Sequence, residues 1–373
     1  MSAMRTLAAA LFSIGALSTL SSINTAQAAD IKIYGRIDTG LVYQHFSGDS
    51  TKEDSFSLDS GPNTASRWGV QGSEQITPET SVGFRLENRF ASDTGELKEN
   101  GRMFGGMAAV TISNKTWGEL AFGRMAGVGS GSGPYDLLIL IDAFDGGSVG
   151  TGVTSVRSTR YDNMITYRSP MIAGLQATLQ YSLNTDSTGE DQGDESTSDV
   201  NRFYAAALRY NAGPLNIVGY YEGTAWGHVR QPDNGADTDK QVFTLGASYR
   251  FEPVTVYAQA QYYNGVNKMD GFTADDRASS IKGYGLYAGA QFWFGLSSWQ
   301  SMVYWRDYTR DGAEGAPSWD GKTIAVATKY LYRPSKTIDM YVGGGFSQWD
   351  RISDGKVLTD KGFNVFSGIT KYF

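Results

Sequence analysis

Apolar and polar residues alternate along most of the chain with the two-residue period of a β-strand. In the segment at 31–44, Ile33, Ile37 and Leu41 share one face, and Arg36 and Asp38 lie on the other. Similar segments follow near 81–90, 161–168, 200–210, 241–251, 254–263, 283–294, 299–308, 322–332 and 337–348. Each has about ten residues, the length that a tilted strand needs to cross the hydrocarbon layer of a membrane. The pattern predicts an all-β protein.

The connections between these segments alternate in length. Short turns are predicted near 77–79, 114–115, 169–173, 211–214, 252–253, 295–298 and 333–336. Longer polar loops are predicted near 45–64, 93–101, 126–158, 186–199, 227–239, 266–281, 310–320 and 349–361. This order implies a transmembrane antiparallel β-barrel of about 16 strands, with both ends of the chain on the short-turn side. A soluble β-sandwich has no reason to sort its loops in this way.

The segment at 125–158 differs from everything around it. It is rich in glycine, and its apolar run at 137–141 is flanked by Asp136, Asp142 and Asp145. A long insertion of this kind in a compact domain is commonly a functional loop. We therefore expect this third long loop to fold into the interior of the barrel.

The first residues predict export from the cytoplasm. Arg5 precedes an apolar run, and the run is followed by the small-residue pattern Ala26-Gln27-Ala28. We expect residues 1–28 to be a signal peptide and residues 29–373 to form a single barrel domain. The chain has no cysteine for a disulfide framework, and its net charge of −7 argues against a nucleic acid partner.

Catalytic and metal-binding motifs lack the context that their chemistry requires. The stretch at 146–150 matches the G-x-S-x-G pattern, but the only histidines are His45 and His228, both in predicted loops. The acidic stretch at 186–199 lacks the regular spacing of a calcium loop, so a solvated surface loop is the simpler interpretation and weak divalent-cation contact the alternative. We expect no enzymatic activity, no metal site and no cofactor.

Charged side chains on the polar faces are tolerated if those faces line a water-filled pore. The alternation places four arginines inside the pore: Arg36, Arg67, Arg85 and Arg160. Strict alternation turns Arg124 the other way, and only a bend or bulge at Gly123 would direct it inward.

Several motifs together resemble the Gram-negative trimeric general porins. They are YGRIDTG at 34–40, SRWGVQGSE at 66–74, AFGRM at 121–125, RYDNMITYRSP at 160–170 and a final Phe373. The resemblance covers essentially the whole mature chain. It implies that the third long loop narrows the channel and that its acidic residues face a ladder of basic residues on the opposite wall.

The resemblance assigns residues to these roles. The basic ladder matches Arg36, Arg67, Arg124 and Arg160, and Asp136, Asp142 and Asp145 are the acids of the loop. The loop departs from the family pattern, since it reads DAFDGG at 142–147. The terminal Phe373 matches the assembly signal of the family, although Lys371 stands where an aromatic residue is usual.

We therefore expect a general diffusion porin of the cell outer membrane that passes small hydrophilic solutes and ions. The resemblance implies a homotrimer, with outer-membrane lipid, lipopolysaccharide and the outer-membrane assembly machinery as partners. One alternative is a substrate-selective channel, for which an aromatic track would line the narrowest point. The other is a plugged barrel that acts as an adhesin or structural anchor. Ion selectivity, pore size, preferred solute, gating and the subunit interface stay open.

Overall fold

The computed structural model describes residues 30–49, 52–144, 155–187, 194–227, 238–266, 278–312, 318–353 and 355–373. The strands are β1 (Lys32–Gly48), β2 (Lys52–Ser60), β3 (Arg67–Thr77), β4 (Thr80–Arg89), β5 (Met107–Asn114), β6 (Gly118–Ala126), β7 (Arg160–Arg168), β8 (Leu175–Ser182), β9 (Arg202–Ala212), β10 (Leu215–Ala225), β11 (Lys240–Phe251), β12 (Val254–Val266), β13 (Ala278–Phe294), β14 (Ser297–Gly312), β15 (Trp319–Ser335), β16 (Ile338–Ser353) and β17 (Lys356–Tyr372). One short 3-10 helix covers Leu138–Leu140. Within these ranges, no helix is long and apolar enough to cross a bilayer.

The strands form one closed antiparallel barrel with sixteen strand positions. β2 pairs with the later part of β1, and β3 pairs with its first part, so β2 and β3 occupy one position between them. Every other strand pairs with its neighbours in sequence, and β17 returns to pair with β1. The predicted barrel of about 16 strands is confirmed. The predicted signal peptide lies outside the described residues.

The two faces of the strands differ in the way that the alternation predicts. In β15, Ile324 and Val326 are exposed, whereas Ala325 and Ala327 are buried. The exposed apolar side chains form the outer surface, which suits contact with lipid, and the other face points into the barrel. The inward face also carries many buried polar side chains, such as Gln261.

The strands from β13 to β17 have 16 or 17 residues, more than the ten that the sequence pattern predicts. The loop predicted at 349–361 was wrong, because β16 and β17 pair through most of it. The loop predicted at 45–64 was also largely wrong, because β1 pairs with β2 there. The loop-side ends of β14 and β15 carry charged outward side chains, such as the ion pair between Lys322 Nζ and Asp307 Oδ2 at 3.9 Å. Such charges are costly in hydrocarbon, so the strands extend beyond the lipid layer.

Candidate channel constriction

The long connection between β6 and β7, residues 127–159, is here called the inner loop. It leaves β6 along the inward face of the wall. The amide of Val128 donates to Gln180 Oε1 at 2.9 Å, and that of Gly129 donates to Glu222 Oε1 at 2.9 Å. Gln180 lies on β8 and Glu222 on β10, and both side chains are buried. The loop therefore begins by covering the inner wall rather than by leaving the barrel.

The middle of the inner loop packs on the same wall through apolar side chains. Leu138 and Ile141 are fully buried, in one cluster with Phe203, Ala207 and Tyr220 from β9 and β10. Burial of a leucine or isoleucine side chain stabilises by about 1.5–3 kcal/mol each. The apolar run at 137–141 thus holds the loop against the wall.

Further along, the inner loop contacts β12 and β14, which follow β10 in the barrel wall. Gln300 of β14 donates through Nε2 to the carbonyl of Ala143, and Phe144 packs with Tyr304 and Met302. On the return, Gln261 of β12 accepts from the amide of Val156 at 2.8 Å and donates to its carbonyl at 2.9 Å. The described part of the loop therefore lies along the inward faces of these strands.

Buried Tyr135 anchors the inner loop to the wall near the short turns of the barrel. Tyr135 donates to Glu119 Oε1 at 2.8 Å, and Arg168 pairs with the same oxygen at 3.0 Å. Burial, together with the nearby Glu119 carboxylate, raises the pKa of Tyr135, so the hydroxyl stays protonated as a donor. The Arg168 guanidinium also lies over the Tyr135 ring, 5.0 Å from its centroid.

The acids of the inner loop contact their own loop and the nearby wall. Asp136 Oδ1 accepts from the amides of Gly131 at 2.9 Å and Leu138 at 3.2 Å. Asp142 Oδ1 accepts from the amide of Phe144 at 2.7 Å and from the Tyr304 hydroxyl at 3.4 Å. These contacts shape the loop. Asp145 lies outside the described residues.

A second segment, residues 61–66 between β2 and β3, is here called the junction segment. It packs on buried Asp38, whose Oδ1 accepts from the Asn63 amide at 3.2 Å and from the Tyr341 hydroxyl at 2.9 Å. The carbonyl of Ala65 accepts from Nε of Arg67 at 3.3 Å. Lys329 of β15 donates to Asn63 Oδ1 at 2.7 Å. The alternation of apolar and polar residues does not predict this segment.

The junction segment and the inner loop approach each other at one lysine. Besides its bond to Asn63, the Lys329 ammonium lies 5.3 Å from the centroid of the Phe144 ring. Contacts of one side chain with both segments bring them together on the inward face of β15. Both segments therefore lie on the inward side of this strand.

Seven arginines lie along β1 to β7 and the loop after β4, and they are here called the arginine cluster. They are Arg36, Arg67, Arg85, Arg89, Arg102, Arg124 and Arg160. Buried Glu87 of β4 contacts three of them, with distances of 3.4 Å to Arg67, 3.4 Å to Arg85 and 3.7 Å to Arg89. Arg36 donates to the carbonyl of Ala65 at 3.4 Å.

The loop after β4 supplies a second carboxylate to the cluster. Glu99 lies 3.2 Å from Arg160, 3.7 Å from Arg124 and 3.8 Å from Arg89. Neither Glu99 nor its partner Arg89 is among the pore residues predicted from the sequence. Arg89 could have been found, since it shares the polar face of β4 with Arg85.

A third carboxylate, Asp162 of β7, contacts Arg124 as well and adds Arg102. It pairs with Arg124 at 2.6 Å and with Arg102 at 3.3 Å, and Arg102 also contacts Asp186. The carboxylates that contact the arginine cluster thus include two on the wall, Glu87 and Asp162, and two in loops, Glu99 and Asp186.

Arg124 joins the arginine cluster because β6 has an irregularity at Gly123, where the sequence predicts that a bend or bulge is needed to turn Arg124 inward. The pairing of β6 with β7 shifts between Gly123 and Met125. Gly123 has φ of 129°, which side chains with a Cβ rarely adopt. The bulge breaks the alternation, so Arg124 reaches Glu99 and Asp162 instead of the outer face.

A closed barrel with an apolar exterior, a polar interior and an inward loop beside clustered charges defines a transmembrane channel. Comparison with known proteins agrees. The chain belongs to the Gram-negative porin family, whose sequence model matches residues 8–351. It is accordingly an outer-membrane protein.

Individual relatives are similar over most of their length. An outer membrane porin protein of Bordetella pertussis is 29% identical over 360 residues, which cover 85% of this chain and 89% of that protein. The solved anion-selective porin from Comamonas acidovorans has a TM-score of 0.64 at 20% identity, covering 92% of this chain and 100% of that one. A trimer form of OmpT from Vibrio cholerae has a TM-score of 0.55 at 13% identity, covering 93% and 100%. The two structures support the fold alone.

Proposed function

We propose that this porin is a general diffusion channel for small hydrophilic solutes and ions, with a preference for anions. The arginine cluster is the observation that carries the proposal. It brings together seven guanidinium groups, and the carboxylates that contact them include Glu87, Glu99, Asp162 and Asp186. A passing anion is stabilised by these guanidinium groups, and a cation is destabilised.

The net charge of the whole chain, −7, does not oppose this preference. Charges act on a permeating ion within a Debye length, about 8 Å at physiological salt. The charges that act most strongly on a passing ion are therefore those that lie beside its path. The anion-selective porin from Comamonas acidovorans has a similar fold, which is consistent with the proposal.

We also revise which acids face the arginines. The proposal assigns this role to Glu87, Glu99 and Asp162, because each lies within 3.4 Å of at least one arginine. Asp136 and Asp142 are assigned to the shape of the inner loop. Asp145 stays a prediction.

Conductance measurements in planar bilayers test the proposal. Purified protein should form stable open channels, and the reversal potential in a KCl gradient should have the sign of chloride preference. A lack of conductance would favour the plugged barrel that serves as an anchor. Cation preference would overturn the role of the arginine cluster but not the channel.

We further propose that the channel is a homotrimer, as the trimer form of Vibrio cholerae OmpT is. Light scattering in detergent, with the bound detergent subtracted, should give three times the mass of one mature chain. A mass of one chain would contradict the proposal.

A further inference from the structure

An apolar groove crosses the outer surface of the barrel from β8 to β14. Two adjoining hollows, of about 720 Å³ and 590 Å³, share the outward side chains of Leu245 and Ala260. The groove is open because the outward residue of β10 is Gly219, which has no side chain between its cross-strand neighbours Leu208 and Leu245. A Cβ added at Gly219 would have its nearest contacts at 3.7 Å from Leu245 Cδ1 and 4.0 Å from the Thr244 carbonyl oxygen. The space outside Gly219 can therefore accept an apolar group.

Aromatic side chains line the edge of the groove that lies toward the long loops. The ring centroids of Tyr221 and Phe243 are 4.5 Å apart. Tyr204 extends the row at 5.9 Å from Tyr221, and Tyr262 extends it at 6.4 Å from Phe243. Rows of outward aromatic side chains are typical of the level where hydrocarbon meets the lipid headgroups. The groove, on the other side of this row, therefore lies at the depth of the acyl chains.

A basic side chain lies beyond the aromatic row on the same outward face. Arg202 begins β9 at its loop end, and alternation places it with Tyr204 and Ala206 on the outer surface. Four residues of a strand span about 13 Å, so Arg202 lies at headgroup level when Ala206 lies in the hydrocarbon. Within the described ranges, Arg202 Nε is buried without a hydrogen-bond partner, and no carboxylate pairs with the guanidinium. The guanidinium is therefore available to an anionic headgroup.

Carboxylates near this loop end distinguish a lipid from a free anion as the ligand. Exposed Asp239, just before β11, acts on the Tyr204 hydroxyl. Three exposed acids precede β9 in the sequence: Asp194, Glu195 and Asp199. A free anion at Arg202 is opposed by these charges. An amphiphile gains in addition the burial of apolar surface in the groove, so the arrangement favours a lipid.

We propose that the groove and Arg202 together bind a lipid of the outer leaflet that carries an anionic phosphate headgroup. One acyl chain lies along the groove across Gly219, and the phosphate lies at the guanidinium. The fork of donors on a guanidinium matches the oxygens of a phosphate, which accounts for the choice of headgroup. The site lies on the outer wall and is separate from the pore and from the arginine cluster.

Native mass spectrometry of the purified protein in detergent tests the site, with diphosphorylated lipid A as the probe. Wild-type protein should bind lipid A in a saturable way. Arg202→Gln should weaken this binding at least about tenfold, the factor expected when a charge-assisted hydrogen bond is lost. Gly219→Leu fills the groove and should weaken the binding by a similar factor of about ten, because the acyl chain loses its buried contacts.

Two matched controls make the same kinds of change elsewhere on the outer wall. Lys361→Gln removes an exposed positive charge from β17, and Ala290→Leu adds an apolar side chain to β13 outside both hollows. Both variants should bind lipid A as the wild type does. If Arg202→Gln and Lys361→Gln weaken binding equally, net charge explains the effect and the site is overturned.

Other outcomes would assign the groove or Arg202 to a different ligand. Displacement of lipid A by an excess of inorganic phosphate would mean that Arg202 binds the headgroup alone, and it would overturn the role of the groove. A smaller oligomer for Gly219→Leu, with unchanged lipid A binding per chain, would assign the groove to a subunit contact and overturn the lipid. Wild-type protein that binds no lipid A would overturn the whole site. KCl conductance, which depends on the pore rather than the outer wall, reports that each variant has folded and inserted.

Discussion

Neutralising Glu99 is the sharpest test of how the constriction sets ion preference. Glu99 is the carboxylate shared by Arg89, Arg124 and Arg160, at distances of 3.2–3.8 Å. Glu99→Gln keeps the size of the side chain and removes its charge. Three arginines then lose a counterion at once, and the net charge of the arginine cluster with its acids becomes more positive by one.

The expected effect follows from Coulomb's law. An ion that passes about 8 Å from the carboxylate interacts with its charge by about 0.5 kcal/mol at the dielectric constant of water. At about 0.01 M salt the Debye length of about 30 Å leaves about 0.4 kcal/mol, a factor of about two. Because anions gain and cations lose this amount, the anion-to-cation permeability ratio should rise about fourfold.

Reversal potentials in a dilute KCl gradient measure this ratio. Repeating the measurement near 1 M salt, where the Debye length falls to about 3 Å, should abolish the difference between Glu99→Gln and the wild type. Glu96→Gln is the matched control, since Glu96 lies in the same loop but is exposed to solvent. Equal shifts for both variants, or a shift that survives high salt, would refute the reasoning.

Other contacts of the wall and the inner loop give three more predictions. Replacing Arg36, Arg67 and Arg160 together by glutamine should shift the reversal potential toward cation preference, and an unchanged value would contradict their placement. Glu222→Ala leaves the Gly129 amide without its acceptor at a cost of about 1–3 kcal/mol, so the inner loop should move more and single-channel current should show more frequent partial closures. Channels without additional partial closures would argue against the role of Glu222 in holding the inner loop. Asp38→Ala removes the acceptor of the Tyr341 hydroxyl, at about 1–3 kcal/mol for each donor left unpaired, and should lower the temperature at which the barrel unfolds in detergent. An unchanged temperature would contradict its structural role.

The fold could be predicted because strand after strand shows the same alternation of apolar and polar side chains. A tilted membrane strand has to alternate its side chains, as β15 does with exposed Ile324 and Val326 around buried Ala325. The pattern weakens where strands leave the lipid, since outward side chains such as Lys322 are then charged. For this reason the sequence predicts a loop where β16 and β17 extend.

Only the residues of the constriction that lie on strands could be predicted from the sequence. Arg36 and Arg85 follow from alternation, and the glycine needed to turn Arg124 inward is visible at Gly123. The partner Glu99 lies in a loop, whose path depends on contacts rather than on periodicity. The junction segment is also hidden, because its inward course depends on Asp38 and on Tyr341, which is distant in sequence.

The position of Glu99 outside the strands separates two properties of this porin. Glu99 lies in the connection between β4 and β5, where its backbone adopts φ of 56°. It is therefore not part of a barrel strand. Surface connections accept substitutions and insertions that a framework strand would not. Under the proposed role of the arginine cluster, mutation of this connection therefore retunes permeability while the barrel stays intact.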